Sequence, residues 1–161
     1  MKRTSITLPA LCLAVAACGG GSTDGSGGGD TIGDCNALAN IGQVIAETAD
    51  GGPVPTMTGG TIADGIYVLT SNVQYAGSSA DSRTHRRTIQ IAGNSVQIVN
   101  SDDGAPDVHA TLELAPSGNA LDEMAVCPPG LVAEMGTYTA TATSLAILKN
   151  GTNQVETYTK Q

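Results

Sequence analysis

The chain of 161 residues contains no tryptophan and no phenylalanine, and four tyrosines are its only aromatic residues. Aromatic rings supply the largest buried areas per side chain. Any hydrophobic core must therefore be built mainly from Ile, Val, Leu, Ala and Met, and we expect such a core to be only moderately stable. The rings are those of Tyr67, Tyr75, Tyr138 and Tyr158.

Basic residues are scarce as well. Removing Lys2 and Arg3 from the seven Lys and Arg leaves five against 15 Asp and Glu, a net charge of −10. Proteins that bind nucleic acid need a positive patch to neutralise phosphates, so nucleic acid is not an expected partner. The acid excess favours solubility and keeps the chain away from anionic lipid surfaces.

Motifs of nucleophilic and phosphate chemistry are also missing. The sequence has no Gly-x-Ser-x-Gly, no Cys-x-x-Cys and no glycine-rich loop that opens a helix. Three carboxylates suited to glycoside chemistry, Glu113, Glu123 and Glu134, alternate with apolar neighbours and are predicted to face solvent. We therefore expect a non-catalytic protein without a cofactor or a metal.

The N-terminus carries the most specific pattern in the chain. Lys2 and Arg3 precede an apolar run over residues 6–17, which ends in small residues. A charged start, a short apolar segment and small residues before a cut are typical of a secretory signal. A transmembrane helix is disfavoured because it needs about 20 apolar residues, and Pro9 interrupts this run.

The residues Val15-Ala16-Ala17-Cys18 resemble the lipobox of bacterial lipoproteins. The resemblance implies cleavage after Ala17 and acylation of Cys18 with fatty acids such as palmitate, which would anchor the protein to a membrane. Gly19 follows the cysteine where an aspartate would imply retention at the inner membrane. We therefore expect a cell-envelope protein at the outer membrane, with its domain in the periplasm or at the cell surface.

Three segments follow from this interpretation: a signal peptide over 1–17, a lipidated tether over 18–33 and a folded domain over 34–161. The tether is rich in Gly and Ser, so we expect it to be disordered, with a typical reach of roughly 20 Å. Cys12 is lost with the leader and Cys18 is acylated. Cys35 and Cys127 remain, and export to an oxidising compartment predicts a disulfide bond between them.

From Gly65 onward the pattern is that of β-strands. Apolar residues alternate with polar ones, and turn sequences such as Gly93-Asn94, Asp103-Gly104 and Asn150-Gly151 separate the runs. Consecutive hairpins predict a small antiparallel up-and-down β-barrel of about eight strands, because closure removes exposed edges. A two-sheet sandwich is the alternative. Residues predicted to share the inward face are Ile89, Ile91, Val96, Ile98, Val108, Ala110, Leu112 and Leu114.

The segment over 35–50 is ambiguous. Leu38, Ile41, Val44 and Ile45 fit one face of a short helix, which we take as the expectation. The β-branched pair Val44-Ile45 would also suit a strand.

A second resemblance involves both ends of the β region. Asp64-Gly65-Ile66-Tyr67 resembles the Gly-x-Trp motif of lipocalins, with tyrosine in place of tryptophan. Residues 157–160 resemble the last strand of small bacterial lipocalin-like lipoproteins. The resemblance implies a lipocalin-like barrel over about 60–161 and, with it, an interior that could hold a small apolar ligand.

Two polar stretches are candidate sites. Residues 83–87 hold the one basic cluster, Arg-Thr-His-Arg-Arg, which could bind an acidic ligand or a lipid phosphate. We expect instead a polar loop between strands. His109 lies near Asp102, Asp103 and Asp107 in sequence, a set that could bind a divalent cation, but the aspartates are also what a turn requires.

Two functions remain open. The first expectation is a lipid-anchored accessory or interaction protein that contacts other envelope proteins and has a solid interior. The alternative is a lipocalin-like binding module for a small apolar ligand. An internal cavity larger than about 300 Å³ with an open mouth would favour the binding module.

Intact-mass analysis of the mature protein tests the N-terminal predictions. We expect the chain to begin at Cys18, to carry the added mass of fatty acyl groups, and to lack two hydrogens at Cys35 and Cys127. A cytosolic chain with its leader intact would contradict the lipoprotein interpretation.

Overall fold

The structure, a computed structural model, describes residues 35–131 and 136–161. The predicted signal peptide, the acylation site Cys18 and the tether lie outside the described residues, as does Glu134. Within the described ranges, no helix has the length and apolar character needed to cross a membrane.

The described residues form one mainly antiparallel sheet of nine strands, without helices. The expectation of a mainly β domain is thereby confirmed, while the two sheets of a sandwich are not found. The strands are β1 Ile45–Ala49, β2 Gly65–Gln74, β3 Thr84–Ala92, β4 Ser95–Asp102, β5 Val108–Ser117, β6 Ala120–Cys127, β7 Gly136–Ala140, β8 Ser144–Lys149 and β9 Gln154–Lys160.

The helix predicted over 35–50 is wrong. Residues 36–44 have no regular secondary structure and β1 follows. β1 pairs parallel with the end of β2, where Glu47 lies opposite Asn72, and antiparallel with the start of β3, where Ile45 lies opposite His85. The β-branched Ile45 thus takes the strand conformation that such side chains favour.

The order of pairing follows the order of the chain. Each strand from β2 to β9 pairs antiparallel with the next, and β2 also pairs with β9. Successive pairings therefore lead from β2 to β9 and back to β2. The strands define two ends: the Gly65 end, where β2 begins, and the Cys127 end, where β6 finishes.

The predicted inward faces of β3, β4 and β5 are confirmed. Ile89 lies opposite Ile98 and Ile91 opposite Val96, as alternation along a hairpin requires. Three of the four tyrosines are also in the core. The main cluster joins Tyr67, Leu69, Ile89, Ile91, Val96, Leu114, Leu121, Tyr138, Leu145 and Tyr158.

Residues 57–63 cross close to the Gly65 end of the sheet and are held there by core tyrosines. The hydroxyl of Tyr67 donates to the carbonyl of Ala63 at 2.6 Å, and that of Tyr138 donates to the carbonyl of Gly60 at 2.8 Å. A Cβ at Gly60 would lie 2.5 Å from the carbonyl oxygen of Ala140, so only glycine permits this approach.

Residues 35–42 form a strap across β3, β4 and β5, which begins at a disulfide bond. Cys35 is bonded to Cys127, 92 residues away, in agreement with the predicted pairing. The Asn36 side-chain amide donates to the carbonyl of Ala110 at 2.7 Å. The hydroxyl of the fully buried Thr88 accepts from the backbone N–H groups of Ile41 and Gly42.

Replacing Tyr67 with phenylalanine should destabilise the Gly65 end. The variant leaves the Ala63 carbonyl without its donor, and a hydrogen bond of this kind contributes about 0.5–1.5 kcal/mol. Urea unfolding followed by far-UV circular dichroism measures the loss. The control is Tyr75→Phe, because the Tyr75 hydroxyl makes no hydrogen bond to a described residue; an equal loss there would contradict the assignment.

Candidate functional site

A cavity of about 390 Å³ lies against the inward faces of the strands from β3 to β9. Its walls are mainly apolar, and they include the inward residues that alternation predicts in β3, β4 and β5. Leu121 of β6 and Leu145 of β8 line the cavity and are almost completely buried. The cavity therefore reaches into the hydrophobic core.

One side of the cavity carries a cluster of charged and hydroxyl groups, which we call the Arg87 cluster: Arg87, Lys149, Glu156 and Tyr158. Arg87 Nη1 lies 2.6 Å from Glu156 Oε2 and donates to the Tyr158 hydroxyl at 3.2 Å. The Tyr158 hydroxyl donates to the same Glu156 oxygen at 2.6 Å. Lys149 Nζ lies 3.2 Å from Glu156 Oε1.

Burial and charge act in opposite directions on these groups. Burial alone would raise the pKa of Glu156, but the nearby Arg87 and Lys149 cations outweigh it and hold the pKa at about 2. Burial and the Glu156 carboxylate together raise the pKa of Tyr158 above its usual range, although Arg87 opposes them. At neutral pH, Glu156 is thus ionised and Tyr158 keeps its proton to donate.

Hydrogen bonding leaves part of the Arg87 guanidinium available. Both of its hydrogen bonds come from Nη1, and within the described residues neither Nε nor Nη2 has a partner. The side chain lines the cavity and is 15% exposed. Arg87 can therefore donate to a hydrogen-bond acceptor placed in the cavity.

The cavity opens at the Cys127 end. Val108, which begins β5, and Leu131, which follows β6, both line the cavity and are exposed. The mouth therefore lies between the start of β5 and the segment after Cys127.

The predicted orientation of β6 is wrong. Glu123 lines the cavity, whereas its neighbours Met124 and Val126 are exposed. Glu123 lies opposite the inward Leu114 and two residues after the buried Leu121. Alternation along the strand therefore places its side chain on the inward face. Glu113 is exposed as predicted.

The basic stretch over 83–87 is not a loop, because β3 begins at Thr84. Its cations are divided between the two faces of the sheet. Arg86 pairs with Asp107 at 2.9 Å outside, while Arg87 reaches Glu156 inside. Arg83 lies 3.8 Å from Asp102. The stretch does not present a single basic patch, so the predicted loop is corrected to a strand that contributes one cation to the cavity.

A second group of buried polar side chains surrounds β1. His85 Nδ1 lies 2.8 Å from Asp102 Oδ1, and its Nε2 lies 3.7 Å from Glu47 Oε2. Neither side-chain polar atom of the buried Asn72 has a hydrogen-bond partner among the described residues. These residues lie where β1 joins β2 and β3, and the sequence gives no local signal that would bring them together.

The structure does not gather the candidate cation ligands around His109. His109 Nδ1 lies 3.1 Å from Asn36 Oδ1, and Asp107 accepts hydrogen bonds from Asn40 and Arg86. The hydrogen bond from Asn40 is the main reason why the pKa of Asp107 is lowered. Over 35–131 and 136–161, no group of three or more His, Cys, Asp or Glu side chains is placed to hold a metal ion.

The chain matches no protein-family model, no curated protein and no solved structure.

Replacing Glu156 with glutamine should destabilise the domain by about 3–5 kcal/mol at neutral pH, because Arg87 would remain buried without its counter-charge. An unfolded glutamate has a pKa of about 4.3, well above that of Glu156 in the folded state. The stabilisation by Glu156 is therefore complete above about pH 4.3 and is lost as pH falls towards 2.

The free energy of unfolding in urea, measured between pH 7 and pH 2.5, tests the predicted pH dependence of the stabilisation by Glu156. The difference between wild type and Glu156→Gln should shrink below about pH 4.3. Glu113→Gln removes an exposed carboxylate and should give a small difference. A Glu156→Gln difference that stays constant with pH would contradict the assignment.

Proposed function

We propose that this protein is a lipid-anchored, lipocalin-like binding protein of the bacterial cell envelope, which holds a small, mainly apolar ligand inside a closed barrel. The observation that carries the proposal is the cavity of about 390 Å³, with apolar walls and one buried charged cluster. Ligand sites commonly have volumes of about 300–1,000 Å³ and a few placed polar groups.

Closure of the barrel is supported by the pairing of β2 with both β3 and β9. A barrel of eight strands, β2 to β9, is just wide enough to be filled by side chains or to hold one small ligand. The scarcity of large rings explains why space remains, because Ile, Val and Leu replace Phe and Trp along the walls.

The lipocalin interpretation is also supported by the motif at the start of β2. Gly65 lies where a Cβ would be 2.5 Å from Lys160 Cε, so the Lys160 side chain of the last strand packs closely over this glycine. Tyr67, in the tryptophan position of the motif, is buried and lies opposite Lys160.

The Arg87 cluster indicates the polarity of the ligand. Its apolar part would lie against Ile91, Val96 and Leu121, and an acceptor such as a carbonyl, hydroxyl or carboxylate oxygen would accept from Arg87. The anchor is proposed from Val15-Ala16-Ala17-Cys18, with Cys18 acylated and the domain held at the outer membrane.

A cavity-filling variant tests the proposal. Ala110 lines the cavity on β5, so Ala110→Phe should place a ring in it and abolish binding. Native mass spectrometry of the mature protein from its own envelope should show a retained small molecule in wild type only. Titration with anilinonaphthalene sulfonate, a fluorescent apolar probe, should show binding that is lost in the variant.

Ala92→Phe is the matched control, since Ala92 is an exposed residue at the end of β3. It should bind the probe as wild type does, and circular dichroism should show that both variants fold. Two results together would contradict the binding function and favour the non-catalytic accessory role. The wild-type protein would show a native mass without a retained small molecule, and Ala110→Phe would leave probe binding unchanged.

A further inference from the structure

Four of the six large apolar side chains that are exposed among the described residues lie on or next to β5 and β6, beside the cavity mouth. Met124 is 60% exposed and Val126 is 52% exposed on β6, within three residues of Cys127. Val108 and Leu131 are exposed as well, and both line the mouth. We call these four residues the apolar rim. A group of adjacent exposed apolar residues marks an interaction surface more strongly than scattered ones do.

The attachment of the N-terminal segment lies at this same place. Cys35 is the first described residue, and its disulfide bond fixes it to Cys127, which lies between Val126 and Leu131 in sequence. Sixteen residues separate Cys18 from Cys35, and a Gly-rich chain of this length has a typical reach of about 20 Å. An acyl chain on Cys18 would therefore hold the apolar rim, rather than the Gly65 end, close to lipid.

Charge near the rim favours a particular kind of surface. Asp107, next to Val108, is neutralised by Arg86 at 2.9 Å. The chain as a whole is strongly acidic, with 15 Asp and Glu against seven Lys and Arg. An anionic lipid surface would repel such a domain, whereas a zwitterionic surface would not.

We propose that the apolar rim docks onto the zwitterionic lipid surface in which the acyl anchor lies, so that the cavity mouth faces the bilayer. This inference rests on the proposed acylation of Cys18. Docking would let an apolar ligand pass between the bilayer and the cavity without crossing water. The rim side chains would enter the region between head groups and acyl chains.

The absence of tryptophan makes a direct test possible, because one introduced indole is the only tryptophan signal. Met124→Trp and Leu131→Trp place it on the rim, and Ala142→Trp places it in an exposed turn at the Gly65 end. The acylated mature proteins are reconstituted in phosphatidylcholine vesicles with and without brominated acyl chains. Bromine quenches tryptophan on contact.

We expect brominated chains to reduce the emission of both rim variants by about half and to leave Ala142→Trp almost unchanged, because interfacial apolar side chains insert about 5–10 Å. Equal quenching at the rim and at position 142, or no quenching at either, would overturn docking. In that case, flotation of the protein with vesicles would still show that the anchor is present. A protein that failed to float with vesicles would overturn the anchor as well.

A shift in the emission wavelength of a rim tryptophan without quenching by bromine would also overturn docking. It would assign the rim to contact with a second copy of the chain or with another protein. The ligand experiment with Ala110→Phe uses a different readout. Failure of docking is therefore distinguishable from failure of the proposed binding function.

Discussion

The buried contact between Arg87 and Glu156 is the constraint on which the rest of the domain depends. It joins β3 to β9, the two strands that flank β2, through a distance of 2.6 Å between Arg87 Nη1 and Glu156 Oε2. A charge removed from water is tolerated only when an opposite charge and hydrogen bonds surround it. The pairing of β2 with both neighbours and the position of the charged groups in the cavity are therefore parts of one arrangement.

The same contact explains how a polar group can lie inside a core that lacks large rings. Tyr158 donates a hydrogen bond to one carboxylate oxygen of Glu156, and Lys149 pairs with the other, so both oxygens have partners. Because the guanidinium is held through one nitrogen, it stays fixed in place while it faces the cavity. In the binding protein proposed above, an orientation fixed in advance would lower the entropic cost of ordering the site when a ligand enters.

Sequence periodicity predicted the parts of the fold that depend on neighbouring residues. Alternation in β3, β4 and β5 correctly placed Ile89, Ile98 and Leu112 on one face, since a period of two is set locally. The face of Glu123 was predicted wrongly, because its apolar neighbours Met124 and Val126 are exposed and a pattern of apolar residues assigns such side chains to the inward face. The Arg87 cluster was missed because 69 residues separate Arg87 from Glu156. Glu156 and Tyr158 lie two residues apart on one strand, a spacing that places both side chains on the same face. This spacing was the one signal in the sequence that pointed to part of the cluster.

The place of the Arg87 cluster along the strands has a consequence for the range of molecules that fit. Lys149 ends β8 and Glu156 lies near the start of β9, so the charged groups stand toward the Cys127 end. Residues 57–63 cross close to the opposite end, toward which Ile91 lies on β3. In the binding protein proposed above, the polar head of a ligand would face the opening and its apolar tail would point toward the covered end. Selectivity would then be strict for the length of the tail and permissive for the size of the head.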